Sequence, residues 1–184
     1  MINLTIHIPQ ANGTAKPSYT QEMLEKGPWS SDDENLIKWA AAAIYGGGAD
    51  TTVSITYSFY LAMTLYPEVQ KKAQAELDYV IGAERLPTFE DRNNLPYINA
   101  LVKEALRWNA VLPMGLPHVL SEDIEFRGYL IPKGGLIMPN ISLFAHDQEA
   151  FHNPMEFIPE RYLETEGYPP EIDSKNIVFG FGRR

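Results

Sequence analysis

SDDENLIKWAAAAIYGGGADTTVSITYSFYLAMTLY, residues 31–66, decides the architecture. Ser31 is followed three positions later by Glu34, with Asp32 and Asp33 between them, a capping box with its acids in a first helical turn. No proline interrupts the chain from there to Pro67. The helix opened at Ser31 can therefore run about 34 residues, roughly 50 Å at 1.5 Å per residue. Its middle carries Gly46, Gly47 and Gly48, followed by Asp50, Thr51 and Thr52. Each glycine costs about 1 kcal/mol relative to alanine inside a helix, so three in a row need a reason.

C-terminal to this helix, Pro67 and Glu68 open a second one, in which Val69, Ala73, Leu77 and Val80 recur at helical spacing until Gly82 stops it. A loop through Leu86-Pro87 and Asn93-Asn94 leads to Pro96 and a third helix, with Ile98, Leu101, Val102, Ala105 and Trp108 on one side. Beyond Pro113 and Pro117 the pattern changes to short alternating runs, Asp123 to Tyr129 and Leu136 to Pro139. Joined by Ile131-Pro132-Lys133-Gly134-Gly135, they predict a small β-hairpin. Ser142 to Phe151 predicts a further short helix, and His152 to Arg184, rich in proline, aromatics and glycine, predicts ordered loop. On the N-terminal side, Pro9, Gly13, Pro17, Gly27 and Pro28 leave room for only a turn or two of helix, over Tyr19 to Lys26. The expected class is mainly α with a small β-hairpin region. It divides into an irregular lead-in over residues 1–30, its first residues remnant or foreign, and an organised part over 31–184.

With 45% hydrophobic and 21% charged residues the chain can build a core, which argues against disorder throughout. The net charge of −9 is offset by no basic tract, so a phosphate backbone or an anionic membrane has nothing to attract it, and nucleic acid is not an expected partner. The most apolar stretch, Ile37 to Leu65, is interrupted by Lys38 and Asp50 and falls short of a membrane span. Met1 to Gln10 lacks the basic and apolar regions of a secretory signal. With no anchor legible, the chain itself is expected in the cytoplasm. There is no cysteine, which excludes disulfides, cysteine-based zinc or iron–sulfur sites, and a thiolate ligand to iron from within these residues. His7, His118, His146 and His152 share no metal-ligand spacing, so no metal site is expected from them.

Four constellations carry chemistry. In the first, Gly47 and Gly48 remove side chains where a ligand must lie against a helix. A threonine hydroxyl can bond back to a carbonyl of the preceding turn, and Asp50 and Thr51 then present an acid beside an alcohol, suited to proton delivery through water. The competing reading is a packing contact that admits a neighbouring helix, with Asp50 solvated. In the second, Glu104 and Arg107 are three apart on a helix and can meet as a bidentate pair. Exposed, such a pair is worth a few tenths of a kcal/mol. Arg161, in Pro159-Glu160-Arg161-Tyr162, can join the same carboxylate and lock the helix to a later loop. In the third, Phe179-Gly180-Phe181-Gly182-Arg183-Arg184 lets the backbone pass close to a flat ligand while an arginine pairs with an anionic group on it; a flexible chain end is the alternative. The fourth is His118, between Pro117 and Val119 at the entry to the hairpin, where a lone histidine is usually a satisfied structural residue.

The order and spacing of these motifs resemble the cytochrome P450 family, from about Gly13 to the last residue. Gly47 to Thr52 resembles the oxygen-activating stretch of that family's long distal helix, and Glu104 with Arg107 matches its E-x-x-R. Pro159 to Tyr162 matches P-E-R-F with Tyr for Phe, and Phe179, Gly182 and Arg184 match the start of F-x-x-G-x-R-x-C-x-G. Lys38-Trp39-Ala40 and Asn153-Pro154-Met155-Glu156-Phe157 are most similar to fungal, membrane-bound members, whereas Met1 to Gln10 fit poorly. The resemblance implies a partial P450 haem domain over 31–184. It implies haem b held with help from Gly47, Gly48, His118, Phe179, Gly182 and Arg184, an acid and alcohol pair in Asp50 and Thr51, and a structural triad of Glu104, Arg107 and Arg161. For the parent it implies insertion of one atom of O2 into a small, lipophilic organic substrate, electrons from an NADPH-cytochrome P450 reductase, and an endoplasmic reticulum membrane. The family's axial cysteine falls two positions after Arg184, so the chain is expected to be a fragment cut before its iron ligand and inactive as it stands. A haem-free remnant that acts in partner binding or not at all, and a helical module unrelated to the family, are the other readings.

Overall fold

A computed structural model of the chain describes residues 16–164 and 169–181. Two compact units divide the chain, Met1–Val53 and Ser54–Arg184. In the first, helix α1 spans Tyr19–Glu25 and is capped by the Ser18 side chain, which accepts from the Gln21 amide. Beyond α1 the chain folds back, with the Trp29 indole N–H donating to Met23 O at 2.7 Å.

Helix α2, Ser31–Leu65, begins in this unit and is uninterrupted through its glycines. Its cap lies one residue earlier than the sequence pattern placed it. The Ser30 hydroxyl accepts from the Asp33 amide at 3.2 Å and donates to the Asp33 carboxylate at 2.7 Å. The Ser30 amide donates to that carboxylate as well. Asp33, whose short carboxylate closes the reciprocal box at Ser30, thus takes the place assigned to Glu34.

In the second unit, α3 spans Pro67–Val80 and α4 spans Pro96–Trp108. Both start at proline, whose missing N–H costs nothing in a first turn. The residue before α4, Leu95, offers no capping side chain, and Glu76 of α3 supplies one instead, accepting from the Tyr97 and Ile98 amides at 2.8 and 2.9 Å. Between the two helices, 89–94 form a short 3-10 turn where the sequence indicated loop, boxed by Thr88 and Asp91. The core gathers Ala62, Met63, Val69, Ala73, Tyr97, Leu101, Ala105 and Phe157. Tyr66, Trp108 and Phe157 pack ring against ring, with centroids 5.6–6.1 Å apart. Val102 turns outward from α4; the buried side is set instead by Tyr97, Ala100, Leu101, Glu104, Ala105 and Arg107.

The β region differs from the predicted hairpin. Strand β1 is His118–Val119, β2 is Ile124–Phe126, β3 is Tyr129–Ile131 and β4 is Leu136–Ile137. β2 pairs antiparallel with β3, Phe126 opposite Tyr129, while β4 pairs with β1, His118 opposite Ile137. The hairpin therefore turns at Arg127-Gly128, where both residues have positive φ, 52° and 80°. That backbone matches the twist of the flanking strands. The segment 131–135 returns the chain to β1 instead of closing the hairpin.

The predicted helix over 142–151 shortens to α5, Ile141–Ala145, capped by Asn140. After His146, Asp147 accepts amides with both its side chain and its carbonyl, a turn that competes with continued helix. A 3-10 turn at Pro159–Tyr162 and a short helix α6, Lys175–Val178, punctuate the loop beyond. Among the described residues no helix is long and apolar enough to cross a membrane.

Candidate functional site

The most organised polar feature is built on α4. Glu104 and Arg107 are 0% exposed and Arg161 4%, so this is a buried network and not a surface pair. Their spacing puts Glu104 and Arg107 on one helical face. Arg107 Nε and Nη2 each donate to a different Glu104 oxygen at 2.8 Å, a two-point fork. The rest of the guanidinium reaches across to the later loop. Nη1 donates to Ala145 O and Pro154 O, both at 2.7 Å, and Nη2 to Glu156 O at 3.0 Å. The Phe151 ring lies 5.3 Å from the guanidinium carbon.

Arg161, carried by the 3-10 turn, places Nε 3.2 Å from the Glu104 carboxylate. The Ile158 amide donates to the same carboxylate at 2.8 Å. Glu104 thus receives both arginines and one backbone amide, and the loop over 145–161 is fastened to α4 through it. The expected meeting of Glu104, Arg107 and Arg161 is present. All its carboxylate oxygens have partners, which fits a role in holding backbone and not in binding a ligand directly.

No motif or periodicity singled out Glu171, which joins this network through Arg161. Its carboxylate accepts from Arg161 Nη1 at 2.8 Å and from the His152 amide at 3.2 Å, and contacts His152 Nδ1. Burial pushes its carboxyl up, but the hydrogen bonds from Arg161 and His152 outweigh burial and hold it below the ordinary carboxylate range. Glu160 reaches outward instead, bonding Lys72 of α3 and the Tyr97 hydroxyl.

In the other unit the glycine stretch behaves as its residue types require. Thr51 Oγ1 donates to Gly47 O at 2.7 Å and Thr52 Oγ1 to Gly48 O at 2.9 Å. Asp50 is exposed. A Cβ built at Gly47 or Gly48 meets no described atom within 4 Å, so the side chains are missing where space is open. His118 is exposed on β1, and Phe179 is exposed just beyond α6. Gly182 and Arg184 lie outside the described residues. Among the described residues no cluster of His, Cys, Asp or Glu could hold a metal ion.

Haem is the group the resemblance implies, and each unit, taken by itself, carries a feature compatible with it. Open backbone at Gly47 and Gly48 can border a flat macrocycle, and a satisfied buried network can stiffen a supporting loop. The donor set contains no thiolate, because the 184 residues contain no cysteine.

Comparison with known proteins identifies the family. The sequence profile of the family described as "Cytochrome P450" matches residues 15–184. "Cytochrome P450 monooxygenase claR" of Ampulloclitocybe clavipes is 57% identical over 172 residues, covering 94% of this chain and 32% of the relative. "Cytochrome P450 monooxygenase 208" of Postia placenta is 51% identical over 190 residues, covering 100% and 37%. "O-methylsterigmatocystin oxidoreductase" of Aspergillus flavus is 51% identical over 176 residues, covering 95% and 33%. The chain spans about a third of the length of these relatives. With the profile matched over nearly its whole length, the chain belongs to the cytochrome P450 family.

Proposed function

We propose that the whole protein is a haem-dependent monooxygenase that inserts one atom of O2 into a small, lipophilic organic substrate. Its electrons come from an NADPH-cytochrome P450 reductase at the endoplasmic reticulum membrane. The observation that carries this reading is the buried fastening of α4 to the 145–161 loop through Glu104, Arg107 and Arg161. Haem, when bound through a thiolate, supplies the oxygen activation.

The chain's own residues do the rest. Gly47 and Gly48 leave a bare helix surface on which a flat ligand and oxygen fit. Thr51 directs its hydroxyl proton at Gly47 O, which leaves its oxygen lone pairs to accept from water. Asp50, exposed beside it, exchanges protons with solvent and hands them on through a water that the Thr51 oxygen holds in place as an acceptor. By the resemblance, His118 and Arg184 pair with the anionic edge of the macrocycle and Phe179 and Gly182 belong to its loop, while the triad keeps residues 145–161 on α4. The axial cysteine belongs two positions after Arg184 in the whole protein. For residues 1–184 acting alone, without any cysteine, we propose no monooxygenase turnover.

The test is the carbon monoxide spectrum of the reduced protein with added haem, taken for residues 1–184 and for a version extended through the cysteine. A thiolate-type Soret band in the extended version alone is the expected result. Absence of specific haem binding in both would mean that these residues cannot form the pocket, that the catalytic assignment belongs only to their ancestry, and that a haem-free remnant is the better reading of residues 1–184.

A further inference from the structure

The triad holds two guanidiniums and one carboxylate, and arginine does not shed its proton in proteins. Buried together, these three groups carry a surplus positive charge, which is costly to take out of water. Glu171 balances it. Its side chain is 16% exposed, and one oxygen accepts from Arg161 Nη1 at 2.8 Å while Arg161 Nε faces Glu104 at 3.2 Å. The guanidinium is therefore held between two carboxylates from opposite sides. The backbone closes the same ring, since the Glu171 amide donates to Arg161 O at 2.9 Å and Arg161 Nη1 donates to His152 O at 2.7 Å. The second Glu171 oxygen takes the His152 amide and ring nitrogen.

We propose that Glu171 is a positioning residue: it fixes the Arg161 guanidinium against Glu104, and with His152 as its outer clasp it holds residues 152–161 on α4. Its effect on haem rests on the monooxygenase reading; its effect on Arg161 does not. Among the described residues, the hydrogen bonds of Glu171 go to residues 152 and 161, so its loss acts on that segment first.

The experiment compares the full-length protein with Glu171→Gln, Glu171→Asp and His152→Gln by hydrogen exchange and by the reduced carbon monoxide spectrum. Removing a charge-assisted, buried bond predicts exchange roughly tenfold faster over 152–162 in Glu171→Gln, with residues 67–80 unchanged. Glu171→Asp restores slow exchange in part, and His152→Gln, which keeps the Arg161 bond, loosens 152–162 less. Unchanged exchange over 152–162 in Glu171→Gln overturns the proposal. If that variant loosens 67–80 as well, His152→Gln decides: local loosening of 152–162 supports the clasp and its absence overturns it. In the haem-loaded protein, Glu171→Gln also shifts part of the thiolate-type Soret band toward that of a neutral ligand. A wild type with no thiolate-type band would sink the monooxygenase reading while leaving the exchange result to judge Glu171.

Discussion

Replacing Glu104 by glutamine leaves Arg107 and Arg161 buried without the carboxylate that both address. Breaking a buried pair by removing one partner costs about 3–5 kcal/mol, a large part of a domain's stability. Urea unfolding of the variant should show a midpoint lowered accordingly, and a change under about 1 kcal/mol would mean that the network is solvated in solution. Arg107→Lys should fail to rescue, because a single ammonium cannot reproduce a fork to Glu104 together with bonds to three carbonyls. At this scale the sequence was readable where geometry is local. Glu104 and Arg107 sit three apart on a helix, which alone brings them together. Arg161 was legible through its motif. Glu171 was not, because it lies in an irregular segment where no periodicity assigns a direction to a side chain.

Among the elements, α2 offers two tests. Ser30→Ala removes the observed cap and should cost about 1 kcal/mol, while Ser31→Ala, one position inside the helix, should be near neutral in the same thermal melt. The reverse ranking would restore the cap to Ser31. Gly48→Ala places a methyl group where no described atom lies within 4 Å, so residues 1–184 should gain about 0.5–1 kcal/mol, read as a higher melting temperature. A loss would mean that the helix departs from regular geometry there. Adjacent Ser30-Ser31 and Asp33-Glu34 explain why the cap was legible as a motif but ambiguous in register. The hairpin was misplaced for a similar reason. Gly134-Gly135 is the louder turn signal, whereas the true turn puts Arg127 at positive φ, which side chains other than glycine adopt uncommonly.

For the molecule as a whole, Glu160, Glu171 and Asp173 share one electrostatic pattern. Burial pushes each carboxyl up, and the bonds led by Lys72, Arg161 and Lys103 respectively outweigh it and hold each below its ordinary range. Folded values below unfolded ones of about 4 mean that this stabilisation is present above that pH and is lost as pH falls through the folded values. Unfolding free energy should therefore stay level from pH 8 to about 5 and decline below about 4, as measured by urea titration; a rise in acid would contradict these pairings. The helical class and its order were legible because α2, α3 and α4 are bounded by prolines and acids. The irregular stretch from His152 onward was legible only as irregular, since its order comes from distant partners such as Glu104 and Lys103 and not from its own pattern.

That distance in sequence also orders events in time. A ribosome releases α4 while the segments containing Ala145, Pro154, Glu156 and Arg161 are still to be made. The helical pair of Glu104 and Arg107 needs nothing beyond its own turn, so the nascent chain can sample it in water, where it is worth a few tenths of a kcal/mol, before the later segments exist. Residues translated about 40 to 60 positions later then close over charges that have already found each other, and during synthesis neither has to enter the interior alone.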